Sequence, residues 1–506
     1  MITEEKRVPK IILYLVTAFM VFSTIYTLGT RIDIFTTAFD LMTEKYAFLY
    51  FYGIHVAGAG CLGLIMIIIG RDKLKKPDVI LLILLMAALV VSAFLNSDSG
   101  VKENLSGVIT IGVTVITFYL IGRCFSKQDM HFCLTRVILW ASVIWNYGCI
   151  VSLGMYMICY NGYYKFGGFL RRSRMGIMEG RLFGCFSDPN YAAMIAVLIA
   201  GGLIFIYRKH SKENKPSEGK RPLWLSLERI YILFSLILYL FYIVLAQSRS
   251  TETAVVGCGI VLVILFTYRR RKYKEISDCD CGCVNDDKEQ IEGFFKKNLL
   301  KLSPTDAGVF RAYGVRIILM LVTMVVIYFG VMYGLQGVGI LIVPDRDILT
   351  ELEREDVSMD DISNARFEIW GDYLTLVKDR PVFGLSTRGA LPYAKKVDPE
   401  GYLALTEHNP HSVFVLSAVQ GGIVGFLLLM IFIVRAALRI WKRCQKNEPL
   451  GRLFMLSLFV VMIYGIYCVF NVGFFVAPYF EAMIAWIGLG VMEKSCEQAT
   501  VKETLN

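Results

Sequence analysis

The sequence predicts an all-α protein that crosses a membrane many times. Of its 506 residues, 56% are hydrophobic and 19% are charged, and the mean hydropathy is +0.55. The apolar residues stand in blocks of roughly 20, the length at which a helix spans a hydrocarbon core of about 30 Å. This composition excludes a disordered chain, a collagen-like chain and a disulfide scaffold, and the block pattern excludes an ordinary soluble enzyme.

About twelve apolar blocks are predicted as transmembrane helices. None of them alternates like the ten-residue strands of a transmembrane barrel. The first follows a short basic stretch without a small-residue cleavage site, so we expect a retained helix rather than a signal peptide. The predicted spans are 10–30, 46–70, 77–96, 105–124, 130–157, 190–207, 229–247, 251–267, 313–334, 412–434, 451–470 and 474–492.

The distribution of basic residues predicts the sidedness of these spans. The connections on the N-terminal side of the membrane hold 36 of the 53 Lys and Arg residues, and such an excess marks the cytoplasmic side. Both termini are therefore predicted to be cytoplasmic. The basic stretches 208–221 and 269–274 are explained as topology determinants on an anionic inner leaflet, with no need for nucleic acid.

Two long connections face outward under this orientation, and long loops that are not disordered are usually functional. The chain then divides into membrane helices 1–9 with the external loop 158–189 (residues 1–334), a large external loop with short helices (335–411), and membrane helices 10–12 with a cytoplasmic tail (412–506).

One stretch of the large external loop has helical periodicity. Phe367, Trp370, Tyr373 and Leu374 share one face of a helix over 364–377. The pattern predicts an amphipathic helix that lies on the membrane surface or caps the bundle.

Metal and cofactor patterns are weak in this sequence. Cys279, Cys281 and Cys283 lack the ligand spacing and the second cluster of a zinc site, so we interpret them as reduced thiols in a flexible cytoplasmic loop. Asp345 and Asp347 form a single D-x-D pair, and Asp360 and Asp361 are further loop acids. We expect no metal and no cofactor.

The strongest local pattern begins at His411 and Ser412, where the large external loop enters the tenth span. Gly421, Gly422 and Gly425 follow about three turns later and predict close packing against a neighbouring helix. A histidine at the outer surface can be neutral near pH 7 and accept a proton. The alternative is a polar helix cap, for which the residues on either side of His411 are suited.

Three external arginines lie where the charge bias disfavours them. Arg181 lies in the segment that precedes the sixth span, and Ser187, Asp188 and Asn190 of that segment are candidate helix caps. Arg249 lies in a tight turn between two spans. A guanidinium beside a helix N-terminus favours a phosphate. The alternatives are an interfacial arginine, snorkelling to lipid phosphate and, for the third, Arg366, a solvated surface position.

These features point to one substrate chemistry when they are taken together. Three arginines and a histidine from four separate segments are predicted on the same face of the membrane. Several guanidiniums and one candidate base suit a diphosphate and an acceptor hydroxyl. Since no metal site is expected, the chemistry at this site is expected to be metal-independent.

The sequence resembles the O-antigen ligase and polymerase family of bacteria, which also includes some O-linked oligosaccharyltransferases. The resemblance rests on GRLFGCFSDPN, the SRS turn, ARFEIW ahead of RPVFG, and HS followed after nine residues by GGIVG. These motifs span 180–425, about half of the chain.

The resemblance implies a helical fold of the glycosyltransferase C type and a site on the external face of a bacterial plasma membrane. A glycan would move from an undecaprenyl diphosphate carrier to an acceptor hydroxyl by a single inverting displacement. By motif match, Arg181 and Arg249 would hold the diphosphate, His411 would be the base, and Arg366 would line the same cavity.

This sequence departs from the family pattern at two places. Ser412 stands where asparagine is commonest, and His408 with Asn409 mimics the His-Asn pair three residues early. His408 therefore remains an alternative base or a substrate-binding residue. Further substrate-binding candidates are Arg172, Arg174 and Asn190.

Several functions remain open at this point. Within the family we favour a polymerase of capsular polysaccharide, exopolysaccharide or O-antigen, and the alternatives are a polysaccharide ligase and an O-oligosaccharyltransferase. A twelve-helix secondary transporter or flippase is the rival from another class, but such proteins usually show internal repeats and polar residues at mid-membrane. A scaffold without catalysis is a third option. Expected partners are the lipid-linked donor, a hydroxyl acceptor, membrane lipid, a flippase and a chain-length regulator, without nucleic acid.

Overall fold

A computed structural model describes residues 8–32, 47–158, 160–165, 172–213, 223–279, 306–342, 365–446, 448–473 and 479–505. Among these residues, ten helices are long and apolar enough to cross a membrane. The predicted fold class, an all-α polytopic membrane protein, is thereby confirmed.

The helices of the described residues are these, in chain order: α1 (Lys10–Gly29), α2 (Ala47–Ile69), α3 (Pro77–Leu95), α4 (Val101–Cys124), α5 (Lys127–Met157), α6 (Pro189–Glu213), α7 (Leu223–Ala246), α8 (Arg249–Cys279), α9 (Asp306–Ile342), α10 (Arg366–Val377), α11 (Ala390–Val397), α12 (Tyr402–Thr406), α13 (Val413–Gln445), α14 (Arg452–Tyr467) and α15 (Phe480–Leu505).

The observed helix ends differ from the predicted spans in a systematic way. The helix α8 continues 12 residues past its predicted end at 267, and α9 continues to Ile342, inside the segment predicted as external. The helix α14 is apolar but shorter than the ten long helices. Hydropathy marks where a helix meets lipid, whereas caps and turn residues decide where it ends.

A small antiparallel sheet occupies part of the 158–189 segment, for which the sequence predicted only a loop. Its strands are β1 (Asn161–Lys165), β2 (Arg172–Met178) and β3 (Arg181–Gly184), in that order. Gly176 has a φ of +80° beside a register shift between β2 and β3. A Cβ there would collide with the carbonyl of Tyr160, so only glycine fits this bend.

The bundle is built from pairs of long helices. The helix α15 packs against α4 and α14, α13 packs against α3, and α1 packs against α5. Gly122 of α4 faces Gly490 of α15, and a Cβ on either would collide with the carbonyl of Ile487 or Tyr119 on the opposite helix. Backbones approach this closely in membranes because small residues allow tight van der Waals packing.

A buried charge cluster ties four helices together at the bundle end where α3 begins. The Arg123 side chain is completely buried, 3.0 Å from Asp78 and 2.6 Å from Glu497. Beside it, Arg439 lies 2.6 Å from Glu493. Because a buried charge without its partner is costly, these pairs fix the ends of α3, α4, α13 and α15 relative to one another.

The short helix α10 packs on α13 through a stripe that includes Ile369, which was not among the residues predicted to share a face. Ile369 and Tyr373 are 2% and 3% exposed and pack on Val419 of α13, whereas Phe367 and Leu374 are exposed. Ile369 and Tyr373, one turn apart, form the stripe that meets α13, and of the four residues predicted to share a face only Tyr373 belongs to it. The expected contact of this helix with the membrane surface stays a prediction.

The helix α13 is broken at Gly422, which has a φ of 59° and a ψ of −158°. The segment 380–384 lies in this break: the Ile423 and Val424 N–H groups donate to the carbonyls of Pro381 (2.8 Å) and Val382 (3.2 Å). The segment 380–384 therefore accepts hydrogen bonds that a continuous helix would make within itself.

The close packing predicted at the glycines is found at Gly422, where the neighbour is the segment 380–384 rather than a helix. Gly421 faces α3, and a Cβ there would make only ordinary contact with Leu89, at 3.5 Å. A Cβ on Gly422 would instead collide with the Val382 carbonyl. Arg380 anchors the docked segment through Asn96 (2.8 Å) and Asp98 (2.9 Å).

Gly422→Ala is expected to destabilise the protein by about 1–3 kcal/mol or more, because residues with a side chain are strained at this φ and ψ and the added Cβ has no space. The melting temperature in detergent measures the effect. Gly425→Ala is the matched control, since a Cβ there makes only ordinary contacts. Equal melting temperatures for the two variants would contradict the account of the break.

Candidate active site at the converging helix ends

Asp188 marks the point where several charged side chains converge. It precedes α6 and interacts electrostatically with Arg31, Arg181, Arg366 and His411. These residues come from the end of α1, the sheet and the starts of α10 and α13. The sequence predicted that Arg181, Arg366 and His411 share one face, and the structure brings them around one carboxylate.

The start of α6 is fixed by a local cap. The Asp188 Oδ1 accepts a hydrogen bond from the Asn190 N–H at 2.7 Å, as predicted for a capping residue. The Asn190 carbonyl in turn accepts from the Thr251 hydroxyl of α8 at 3.2 Å. Asn190, predicted to bind substrate, thus joins the starts of α6 and α8 through its backbone.

Arg181 lies at the start of β3 and is mostly covered. Its guanidinium is 3.8 Å from Glu179 and lies over the Phe183 ring, 4.8 Å from the centroid. Burial lowers the pKa of Arg181, even though Asp188 and Glu179 oppose the shift. The protein therefore holds a desolvated positive charge here that its own carboxylates only partly balance.

The other two predicted arginines of the sheet are placed differently. Arg174 is exposed and forms a 2.8 Å ion pair with Glu179, so it is engaged at the surface. Arg172 pairs with Lys165 across β1 and β2, and the described part of the structure does not extend to its side chain.

Arg366 and Arg249 are electrostatic neighbours although 116 positions separate them in the chain. Arg366 opens α10, and Arg249 opens α8. Burial lowers the pKa of Arg366; Tyr467 and Asp188 oppose that shift, and Arg249 adds to it. Two guanidiniums that repel each other at a partly buried place favour an anion between them.

His411 stands in the turn before α13, with its side chain half-buried and a φ of 44°. The next turn is tied to the end of α14, because the Val413 N–H donates to the Cys468 carbonyl at 3.0 Å. Burial lowers the pKa of His411 to about 4, with Arg366 and His408 acting in the same direction. The imidazole is therefore neutral at pH 7, as a base must be.

His408 is exposed and is a neighbour of His411. Its ring centroid is 6.4 Å from that of His411 and 5.9 Å from that of Tyr402. Arg366 is an electrostatic neighbour of His411. Of the two candidate bases, His411 is thus the better placed against the cationic group.

Two side chains of α10 hold the turn that carries both histidines. The Trp370 Nε1 donates to the Pro410 carbonyl at 2.7 Å, and the Tyr373 hydroxyl donates to the His408 carbonyl at 2.7 Å. Since α10 also packs on α13, the histidine turn is braced from two sides. Trp370 and Tyr373 are positioning residues by this geometry.

Arg31 belongs to the same charge group, and the sequence analysis missed it. Its guanidinium lies 3.4 Å from Glu481 and over the rings of Tyr191 and Tyr479, at 4.3 and 4.0 Å. Burial alone would lower the pKa of Arg31, but Glu481 and the two tyrosines raise it. The available signal was its place directly after an apolar span, the same signal that identified Arg249.

Several predicted features lie outside the described residues. The described part of the chain contains no group of three or more metal-ligating side chains. Outside it lie the positions Cys281, Cys283, Asp345, Asp347, Asp360 and Asp361.

A comparison with protein families finds a match over the segment that contains three of the predicted site residues. Residues 234–430 match the family model described as O-antigen ligase. The match includes Arg249, Arg366 and His411, while Arg181 and Asp188 precede it. No curated protein matches the chain.

Proposed function

We propose that the chain, whose residues 234–430 match the O-antigen ligase family model, acts as a member of that family and transfers a glycan from an undecaprenyl diphosphate carrier to an acceptor hydroxyl. We favour a polymerase of carrier-linked repeat units, and the alternatives are a ligase and an O-oligosaccharyltransferase. We place the reaction on the external face of a bacterial plasma membrane.

The observation that carries this proposal is the charge of the site. Arg181 and Arg366 are largely desolvated, and burial lowers the pKa of each despite nearby carboxylates. Arg249 adds a third guanidinium beside Arg366. Nearby carboxylates offset the effect of burial on Arg181 and Arg366 only in part, and a diphosphate supplies negative charge with oxygens that suit bidentate contact.

The proposed mechanism is a single displacement at the anomeric carbon. The acceptor oxygen forms the new bond while the bond to the diphosphate breaks, and the diphosphate keeps the electron pair. Arg181, Arg249 and Arg366 stabilise the growing negative charge, which is the largest contribution when donors are preorganised away from water. The acceptor proton passes to the neutral ring of His411.

Purified protein in detergent with an undecaprenyl-diphosphate-linked oligosaccharide tests the proposal. We expect longer or transferred glycans together with release of the carrier diphosphate, at equal rates with and without EDTA. A loss of turnover in EDTA would refute the metal-independent mechanism. Movement of the intact carrier lipid across liposomes without glycan transfer would favour a flippase.

The pH dependence of the reaction follows from the pKa of His411, about 4 in the free protein. A group with a lowered pKa stays in its basic form above that value, so kcat/KM is expected to hold from pH 7 to about 5 and to fall tenfold per unit below 4. A bound diphosphate raises the pKa, so kcat should fall at a higher pH. An inflection of kcat/KM at about 6.5, the ordinary value for histidine, would contradict this environment.

The same shift of the His411 pKa also makes the stability of the fold depend on pH. The folded protein prefers the neutral ring, so the contribution is present above the unfolded-state pKa and is lost as the pH falls from about 6.5 toward 4. A loss of activity at low pH is therefore attributed to His411 only if the same sample regains full turnover after it is returned to pH 7.

A further inference from the structure

His411 has two flanks of opposite character. On one side stand Arg366 and, beyond it, Arg249. On another flank the ring of His408 lies 6.4 Å from that of His411, and it leads to a group of aromatic and acidic side chains. A displacement brings together a donor diphosphate and an acceptor hydroxyl, so the cationic flank and the aromatic, acidic flank suit two different ligands.

The second flank carries an aromatic stack. The rings of Tyr402 and His408 are nearly parallel, at 29°, with centroids 5.9 Å apart. His408 is exposed, Tyr402 is partly exposed, and the Tyr373 hydroxyl fixes the His408 backbone at 2.7 Å. The stack is therefore a surface held in place from below.

Two carboxylates face the same stack. Glu368 and Asp372 are four residues apart on α10 and so lie on one face of that helix. Burial, Glu368 and Asp372 raise the pKa of Tyr402, in that order, so both carboxylates are within electrostatic reach of its hydroxyl. A carboxylate accepts strong hydrogen bonds from hydroxyl or ammonium groups and repels anions.

We infer that Tyr402, His408, Glu368 and Asp372 form the binding subsite for the acceptor sugar, and that this sugar is neutral or carries an amino group rather than an acidic group. The inference rests on the proposed function and specifies its acceptor. The slightly positive C–H face of a pyranose packs on an aromatic ring, whose face is negative. The carboxylates bind its hydroxyls and exclude the carrier diphosphate from this flank.

This placement presents the acceptor to the base from the side away from the arginines. The sugar rests on Tyr402 and His408, and one hydroxyl points at His411. The diphosphate of the donor lies beyond His411 among the arginines. Each ligand therefore meets the charge that suits it, and the two cannot exchange places.

Binding measurements on the full chain in nanodiscs test the subsite. A glycan array carrying neutral, amino and acidic oligosaccharides probes the acceptor, and undecaprenyl diphosphate probes the arginine flank. Tyr402→Ala is expected to weaken neutral and amino saccharides about three- to ten-fold, with the affinity for undecaprenyl diphosphate unchanged. Tyr393→Ala is the matched control, because Tyr393 also lies beside a carboxylate, Asp379, at 3.0 Å.

A second variant separates recognition from folding. The double substitution Glu368→Gln and Asp372→Asn removes two negative charges, so acidic saccharides should gain affinity relative to neutral ones, which a merely structural role would not produce. Unchanged saccharide binding by Tyr402→Ala, equal weakening of undecaprenyl diphosphate, or a wild-type preference for acidic sugars would each overturn the subsite.

Failure of the subsite and failure of the proposed function give different results. A wild-type protein that binds undecaprenyl diphosphate but no saccharide on the array would refute the subsite and leave glycan transfer standing. A wild-type protein that binds neutral saccharides in a Tyr402-dependent way, without carrier binding or transfer, would refute the proposed function while the saccharide site remains.

Discussion

His411→Ala is expected to reduce kcat for glycan transfer by about 10²–10⁴-fold, the usual contribution of a general base. The ring is half-buried, neutral at pH 7 and next to Arg366, so its removal leaves the acceptor hydroxyl without a proton acceptor. The binding of undecaprenyl diphosphate should remain, because the arginines are unchanged. The measurement is turnover of purified protein in detergent.

Two further variants sharpen this result. His411→Asn should lose as much kcat as His411→Ala, since asparagine tolerates the left-handed backbone at this position but cannot take the proton. His131→Ala, a histidine on α5, should keep wild-type turnover. Full activity of His411→Asn, or a comparable fall of kcat in His408→Ala alone, would remove His411 from its proposed role.

Arg181→Lys and Arg249→Lys are each expected to weaken binding of undecaprenyl diphosphate about ten-fold or more. Lysine keeps the charge but replaces the planar fork by a point charge, and a charge-assisted hydrogen bond contributes about 1.5–3 kcal/mol. The loss in kcat should be larger, because the charge on the leaving diphosphate grows during the reaction. Binding to protein in nanodiscs and single-turnover kinetics measure the two effects.

The matched control for the arginines is Arg388→Lys, an exposed arginine between α10 and α11, which should retain wild-type affinity. Wild-type carrier affinity in both Arg181→Lys and Arg249→Lys would argue against a diphosphate site. If Arg388→Lys weakened binding as much as they do, general charge rather than local geometry would explain the effect.

Hydropathy was enough to predict the membrane helices, because a 20-residue apolar block has few alternatives in a chain. It did not reveal the three-stranded sheet, because strands such as Asn161–Lys165 are short and polar and lack regular alternation. The break at Gly422 was also out of reach. A glycine in an apolar helix is equally suited to close helix packing, as at Gly122, and to a backbone that no other residue adopts.

The candidate site was predictable only as a set of residues on one side of the membrane. Charge and helix ends identified Arg181, Arg249, Arg366 and His411, but they gave no reason to join these to Arg31. Asp188 was predicted only as a cap, and its second role, as the carboxylate among the cations, depends on long-range packing. Electrostatic neighbours brought together by folding leave no local pattern in a sequence.

The docking of residues 380–384 into the break of α13 has a consequence for biosynthesis. The docked segment precedes α13 in the chain, so it is synthesised first, and the N–H groups of Ile423 and Val424 depend on its carbonyls. A nascent α13 that entered the bilayer alone would carry these donors into hydrocarbon unsatisfied. Insertion of this helix is therefore completed only when the preceding segment has folded against it.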